Sequence, residues 1–305
     1  MNTPKLRGII PPMITPLNAN DELDREGTVR LTEHILAGGV HALFLLGTTG
    51  EAQSLTYRLR YEFVELVCSQ VSGRVPVLVG VTDTSFDESL KLASHAAACG
   101  AVGVVAAPPY YFAPAQQELV EYYTALADKM PLPLYLYNMP SHVKVFLDPA
   151  TVNILADHPN IVGLKDSSAN MTYFQTLLYL LGERDDFSLY VGPEELTGEC
   201  VLMGADGGVN GGANIFPELY VSMYDAACAH DVLRLRALQR RVMQISTSIY
   251  TVGKYGSSYL KGVKCALSLL GVCNDYLSYP YRKFRAEERI RIRQALEALG
   301  ATCVE

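Results

Sequence analysis

Apolar and polar positions along the chain fall into two alternating kinds of segment. Short runs dense in Ile, Val, Leu and Ala, at residues 9–14, 42–46, 77–81, 103–107, 134–137, 161–165, 189–191 and 207–209, suit parallel strands buried on both faces. Between them lie longer stretches with apolar residues at helical spacing, among them 25–37, 59–71, 89–98, 117–129 and 149–156. Gly38-Gly39 and Cys99-Gly100 carry helix-stop chemistry, and Asp148-Pro149 reads as an N-cap followed by proline in the first helical position. The pattern is one of repeated βα units, hence an α/β fold. Eight such units close a parallel barrel, so the chain is predicted to be a (β/α)8 TIM barrel. A barrel typically takes about 250 residues. The surplus of this 305-residue chain therefore predicts additional C-terminal helices, with 233–249 and 287–299 helical. Residues 1–217 would form the barrel core carrying the active site, and 218–305 the last barrel helix and a helical extension. An open doubly wound sheet is the alternative, but no GxGxxG follows the first strand.

Composition narrows the possible partners. With 49% hydrophobic and 19% charged residues the chain can bury a large core, and a formal charge of -7 argues against a broad grip on nucleic acid or an anionic membrane. Apolar runs fall short of the roughly 18 residues a membrane helix needs. Residues 1–5 show no charged segment leading into a long apolar one, so a cytoplasmic location is expected. Seven scattered cysteines without CxxC spacing fit reduced thiols. Six histidines without HxH or HExxH spacing argue against a metal site, and no cofactor is expected.

Reactive groups of a parallel barrel sit at the C-terminal strand ends, and four of those junctions are chemically loaded. Lys165 closes an otherwise apolar strand, where exclusion of water favours the neutral, nucleophilic amine over the ammonium. Its plain alternative is a side chain that snorkels to solvent. Tyr137 ends the neighbouring strand and shares a face with Tyr135; it is either a proton shuttle or a packed tyrosine with one hydrogen bond. Tyr111 carries the same two readings. The turn Gly47-Thr48-Thr49-Gly50-Glu51 offers hydroxyls and backbone N–H groups as a seat for a carboxylate, or is only a turn. The glycines of 207–212, next to Val209, either let backbone approach a ligand or merely turn the chain.

Gly47-Thr48-Thr49-Gly50-Glu51, Pro109-Tyr110-Tyr111, Tyr137-Asn138-Met139-Pro140 and Gly163-Leu164-Lys165-Asp166 together resemble the dihydrodipicolinate synthase and N-acetylneuraminate lyase superfamily. The match runs in order over nearly the whole chain. The resemblance implies a metal-independent class I aldolase or lyase in which Lys165 forms a Schiff base with pyruvate or a related 2-keto acid. Tyr137 would relay protons, Thr48 would link the relay, and Tyr111 would be contributed across a dimer interface. Thr48 and Thr49 would hold the keto-acid carboxylate, with Gly50 and His142 also at the substrate; Val209 is placed there by its position in the glycine-rich stretch after the eighth strand. The resemblance further implies a homodimer or homotetramer. In the synthase branch, the surroundings of Gly80–Asp83 and Tyr110 can bind lysine.

One departure bears on the second substrate. Dihydrodipicolinate synthases place an arginine two residues after the motif proline to grip a carboxylate; here that residue is His142, shorter and without a bidentate fork. The lyase branch for sialic acid carries GSTGE where this chain has GTTGE. Three readings follow: an aldolase or synthase joining or cleaving pyruvate and an aldehyde, an aldolase or dehydratase for a 2-keto-3-deoxy sugar acid, and a keto-acid-binding barrel without turnover.

Overall fold

The computed structural model describes residues 5–304; all but the last of the N-terminal residues 1–5 lie outside it. Eight parallel strands appear: β1 Gly8–Ile9, β2 Leu43–Leu45, β3 Val77–Gly80, β4 Gly103–Ala106, β5 Leu134–Asn138, β6 Ile161–Asp166, β7 Ser188–Val191 and β8 Gly207–Gly208. They are hydrogen-bonded in the order β1-β8-β7-β6-β5-β4-β3-β2. The free edges meet where Met13 N donates to Phe44 O at 2.9 Å and Phe44 N to Pro11 O at 3.0 Å, so the sheet returns on itself as a barrel. The first strand is much shorter than the predicted 9–14. Pro11 and Pro12 have no N–H to give, so past Ile10 the chain touches β2 only at isolated points.

The outer ring and the extension comprise α1 Arg25–Ala37, α2 Tyr57–Val71, α3 Phe86–Ala98, α4 Gln116–Lys129, α5 Pro140–Val143, α6 Pro149–Leu155, α7 Met171–Leu181, α8 Thr197–Leu202, α9 Pro217–Cys228, α10 Val232–Ser248, α11 Ser258–Leu269 and α12 Ala286–Ala298. Side-chain caps start several: Asp24 accepts from Gly27 N, Thr56 from Leu59 N and Asn170 from Tyr173 N. Asp148 does precede α6, but its carboxylate makes no cap; Gln116 holds that end instead, its Oε1 accepting from Asp148 N at 3.1 Å and Thr151 Oγ1 at 2.5 Å. Beyond Pro217, α9 is the helix that follows β8, and α10, α11 and α12 are additional. No helix among the described residues is long and apolar enough to cross a membrane.

Inside the barrel, Ile10, Phe44, Leu78, Val105, Tyr135, Lys165, Tyr190 and Val209 ring a void of about 10 Å³, one residue from each strand or its immediate continuation. That is a filled layer rather than a channel. Tyr135 fits because its ring lies against glycines of β4 and β6: a Cβ at Gly163 would lie 2.8 Å from that ring and one at Gly103 3.0 Å. Among the eight, Lys165 alone carries an amine.

Candidate active site

Register sets the central pair. β5 and β6 align Tyr137 with Lys165 and, one residue on, Asn138 with Asp166. Alternation sends the first pair to the barrel interior and the second to the outside. There Asn138 Nδ2 donates to Asp166 Oδ1 at 2.8 Å, and Ser168 adds its N–H and hydroxyl. Burial raises the pKa of Asp166, opposed by these hydrogen bonds and by Lys165. The outer pair thus clamps the strand ends whose preceding residues face inward.

Lys165 is 6% exposed, its ammonium 4.2 Å from the ring centroid of Tyr137 and 5.1 Å from that of Phe44. The same two rings help wall a cavity of about 250 Å³, with Gly47, Thr48, Thr82, Tyr110, Met139, His142 and Tyr281 among its other lining residues. Tyr137 Oη and Thr48 Oγ1 lie 3.2 Å apart on its wall. Lys165, Tyr137 and Thr48 are therefore brought together, and Val209 joins Lys165 in the barrel's inner ring.

The remaining residues singled out by sequence stand differently. The Thr49 hydroxyl turns away from the cavity to Tyr259 Oη, 3.2 Å off on α11. Gly50 uses both backbone groups internally, its N–H on Gly47 O and its carbonyl accepting from Thr15. His142 sits at the rim on α5, its Nδ1 2.9 Å from Ser141 Oγ. Desolvation lowers its pKa, and the charges of Lys144 and Lys165 push the same way. Tyr111 is 96% exposed, at a φ of 84°, and lies outside the cavity of the single chain. Of the glycines of 207–212, Gly207 lies in β8 against Gly8, and Gly211 begins a short 3-10 turn against Tyr259.

Two buried carboxylates support the site, and sequence reasoning assigned neither. Glu51 ends the Gly47–Glu51 turn in a left-handed conformation, φ 57°, and forms an ion pair with Lys264 of α11; the side chains are 1% and 0% exposed. Its Oε2 also accepts from Ser278 N and Oγ, each at 2.9 Å, while Lys264 Nζ donates to Tyr276 O at 2.7 Å. Glu194, just after β7, accepts from Tyr250 Oη at 2.7 Å, from Tyr220 Oη and from Gly212 N. Burial raises its pKa to about 7, with those hydrogen bonds opposing. Tyr250 packs edge-on to Tyr259, ring centroids 4.8 Å apart, so this cluster backs the side chain that meets Thr49. Burial also pushes the Tyr259 phenol above its ordinary range. Among the described residues no group of His, Cys, Asp or Glu is arranged to hold a metal ion.

Comparison with known proteins gives consistent results. A family described as the dihydrodipicolinate synthetase family matches residues 5–299. A probable 2-dehydro-3-deoxy-D-pentonate aldolase from Escherichia coli K12 is 33% identical over 299 residues, covering 97% of this chain and 98% of its own. The structure of dihydrodipicolinate synthase from Bacteroides thetaiotaomicron superimposes with a TM-score of 0.95 at 58% identity, covering 97% and 99%. A prophage protein of the dihydrodipicolinic acid synthase family from E. coli K12, solved in complex with pyruvate, does so with 0.91 at 29% identity, again covering 97% and 99%.

Two outcomes are expected. Lys264→Met leaves Glu51 buried without its counter-charge and should cost about 3–5 kcal/mol in urea unfolding, with much of the loss recovered when Glu51→Gln is added. An unchanged unfolding midpoint in the single variant would contradict this account. Because Glu194 holds its proton more tightly folded than unfolded, its contribution to stability is full below the unfolded value of about 4.5 and lost as pH rises through about 7. Glu194→Gln should therefore flatten the fall of the melting temperature between those values, and an equal slope in both proteins would refute the assignment.

Proposed function

The chain belongs to the dihydrodipicolinate synthetase family, a family of lyases and synthases, and on that footing we propose that Lys165 forms a Schiff base with pyruvate or a related 2-keto acid. The observation that carries this reading is the one amine of the barrel's inner ring, Lys165, against a tyrosine whose hydroxyl meets Thr48 on the cavity wall. The amine attacks the ketone carbon to give a carbinolamine, which loses water to leave an iminium. A proton then leaves the adjacent methyl carbon, and the resulting enamine attacks an aldehyde to form a carbon–carbon bond. Hydrolysis frees the product and the lysine; the same steps in reverse cleave it.

Each residue has work in this scheme. Tyr137 moves protons to and from the carbinolamine and the new alkoxide, with Thr48 as the neighbouring hydroxyl. The faces of Phe44 and Tyr137 favour the iminium charge. The Gly47–Glu51 turn seats the carboxylate through Thr48 and Thr49, whose N–H groups donate to no backbone carbonyl among the described residues. Tyr111 completes the relay from a second copy of the chain, in a homodimer or a pair of them. In support, Tyr111 and Phe112 stand 96% and 86% exposed, an aromatic pair that gains by burial against a partner. No metal or organic cofactor has a role in this scheme.

For the second substrate we favour an uncharged, hydroxylated aldehyde, so that the physiological direction includes cleavage of a 2-keto-3-deoxy sugar acid. Among the described residues, no arginine or lysine lines that cavity. His142, its pKa below the usual range, is a neutral hydrogen-bonding group at neutral pH, and Thr82, Tyr110 and Tyr281 add hydroxyls. Such a wall suits hydroxyl groups better than a carboxylate.

Incubation with pyruvate and borohydride, followed by intact mass and peptide mapping, should find a reduced adduct on Lys165 and none in Lys165→Ala. Tyr137→Phe should retain the adduct while turnover falls by roughly 10²–10⁴. Adduct on another lysine, or full activity of Lys165→Ala, would end the proposal; adduct without any turnover would mark a binding barrel. Separately, glycolaldehyde should be a better acceptor than aspartate semialdehyde, and His142→Arg should narrow that gap. A preference for the charged aldehyde in the unmodified protein would reverse the substrate assignment.

A further inference from the structure

On the C-terminal extension, the segment leading into α11 and the segment leading into α12 enclose a second cavity, of about 510 Å³. Its charge runs against that of the molecule. The chain carries a formal charge of -7, yet Lys254, Lys261, Arg282, Lys283 and Arg285 converge on this hollow with Glu288 as the single carboxylate of its wall. Ion pairing does not account for the cluster. Lys283 reaches Asp275 at 3.3 Å, but among the described residues the side chains of Lys254, Lys261, Arg282 and Arg285 have neither an ion-pair nor a hydrogen-bond partner. Glu288 is itself committed, its Oε2 accepting from Arg285 N at 3.1 Å to start α12. Ser258 and Phe284 give the cavity a buried floor, and the Lys261 ammonium stands 6.0 Å from the Phe284 ring centroid. Ser258 is also the first residue of the 12-residue helix α11, whose amino end adds positive potential.

We propose that this hollow binds a multiply charged phosphate group, either free phosphate or the phosphate of a small ester. Gathering like charges on two chain segments around a concave surface costs free energy that an anion would recover. Guanidinium groups of Arg282 and Arg285 match the paired oxygens of a phosphate, and the ammonium groups of Lys254 and Lys261 supply point charges around them. The volume falls within the range of small-molecule sites, so an ester's carbon skeleton fits beside its phosphate, with Tyr255 and Phe284 as apolar wall. The inference is independent of the chemistry proposed for Lys165.

The test is calorimetric titration of the intact protein at low ionic strength, once with inorganic phosphate and once with glycerol 3-phosphate. A Lys261→Met/Arg285→Met double variant and a control with the same charge loss on α10, Arg240→Met/Arg241→Met, are titrated alongside. Saturable one-site binding to the unmodified protein and to the control, weakened at least about tenfold in the double variant, is the expected result. Tighter binding of glycerol 3-phosphate would assign the site to an ester, and equal or weaker binding to free phosphate. No saturable heat with either ligand, or equal weakening in the control, would overturn the proposal.

Discussion

A carboxylate and an ammonium sealed from water hold this site together. Glu51 and Lys264 are both within 1% of full burial, and each also hydrogen-bonds the segment Tyr276–Ser278. Two ions so deprived of solvent are tolerable only as a pair with every further partner in place. The pair thereby anchors the Gly47–Glu51 turn, with Glu51 left-handed and Thr48 presented to Tyr137. The second anchor of the same turn, Tyr259 on Thr49, comes from the same helix one turn earlier. The C-terminal extension is thus part of the wall behind the Gly47–Glu51 turn, in contact with Thr49 and Glu51.

The barrel interior complements this arrangement. Seven of the eight residues in the inner ring are apolar or aromatic, and glycines on both flanking strands make room for Tyr135. A single amine in that layer has no carboxylate beside it; its neighbours are ring faces. The carboxylate nearest in sequence, Asp166, points out of the barrel and is occupied by Asn138 and Ser168. Period-2 alternation keeps a potential counter-ion one residue away from Lys165 and on the opposite side of the sheet.

Much of this was legible in the residues, for definite reasons. Parallel strands buried on both faces leave continuous apolar runs, so all eight could be located, and the chemistry of a barrel gathers at their ends, which drew attention to Lys165, Tyr137 and Thr48. Proline truncated β1, and Asp148 proved to be an N-cap in position only. The supporting residues were not legible because their partners lie far off in sequence. Glu51 and Ser278 are 227 positions apart, Thr49 and Tyr259 210, and no periodicity links them. Lys264 reads as one more polar residue of an amphipathic helix; the one signal that could have flagged it is its place in α11 among Gly262, Val263, Cys265 and Ala266, all buried. Tyr111, by contrast, was conspicuous in sequence and stands outside the cavity of an isolated chain.

The long reach of the Glu51 contacts also bears on the order in which the protein is made. On a ribosome, Thr48 and Glu51 emerge early, and β5 and β6 follow with Tyr137 and Lys165, yet Lys264 and Ser278 are still unsynthesised at that point. Until they arrive Glu51 has no counter-charge and must stay hydrated, which keeps its turn in water and unformed. A nascent chain could close all eight strands and still lack the loop geometry of the finished protein. The residues that appear first in this site are the last to be fixed, and a chain shortened by even its final tenth would lose Ser278 and carry a barrel with an unfinished mouth.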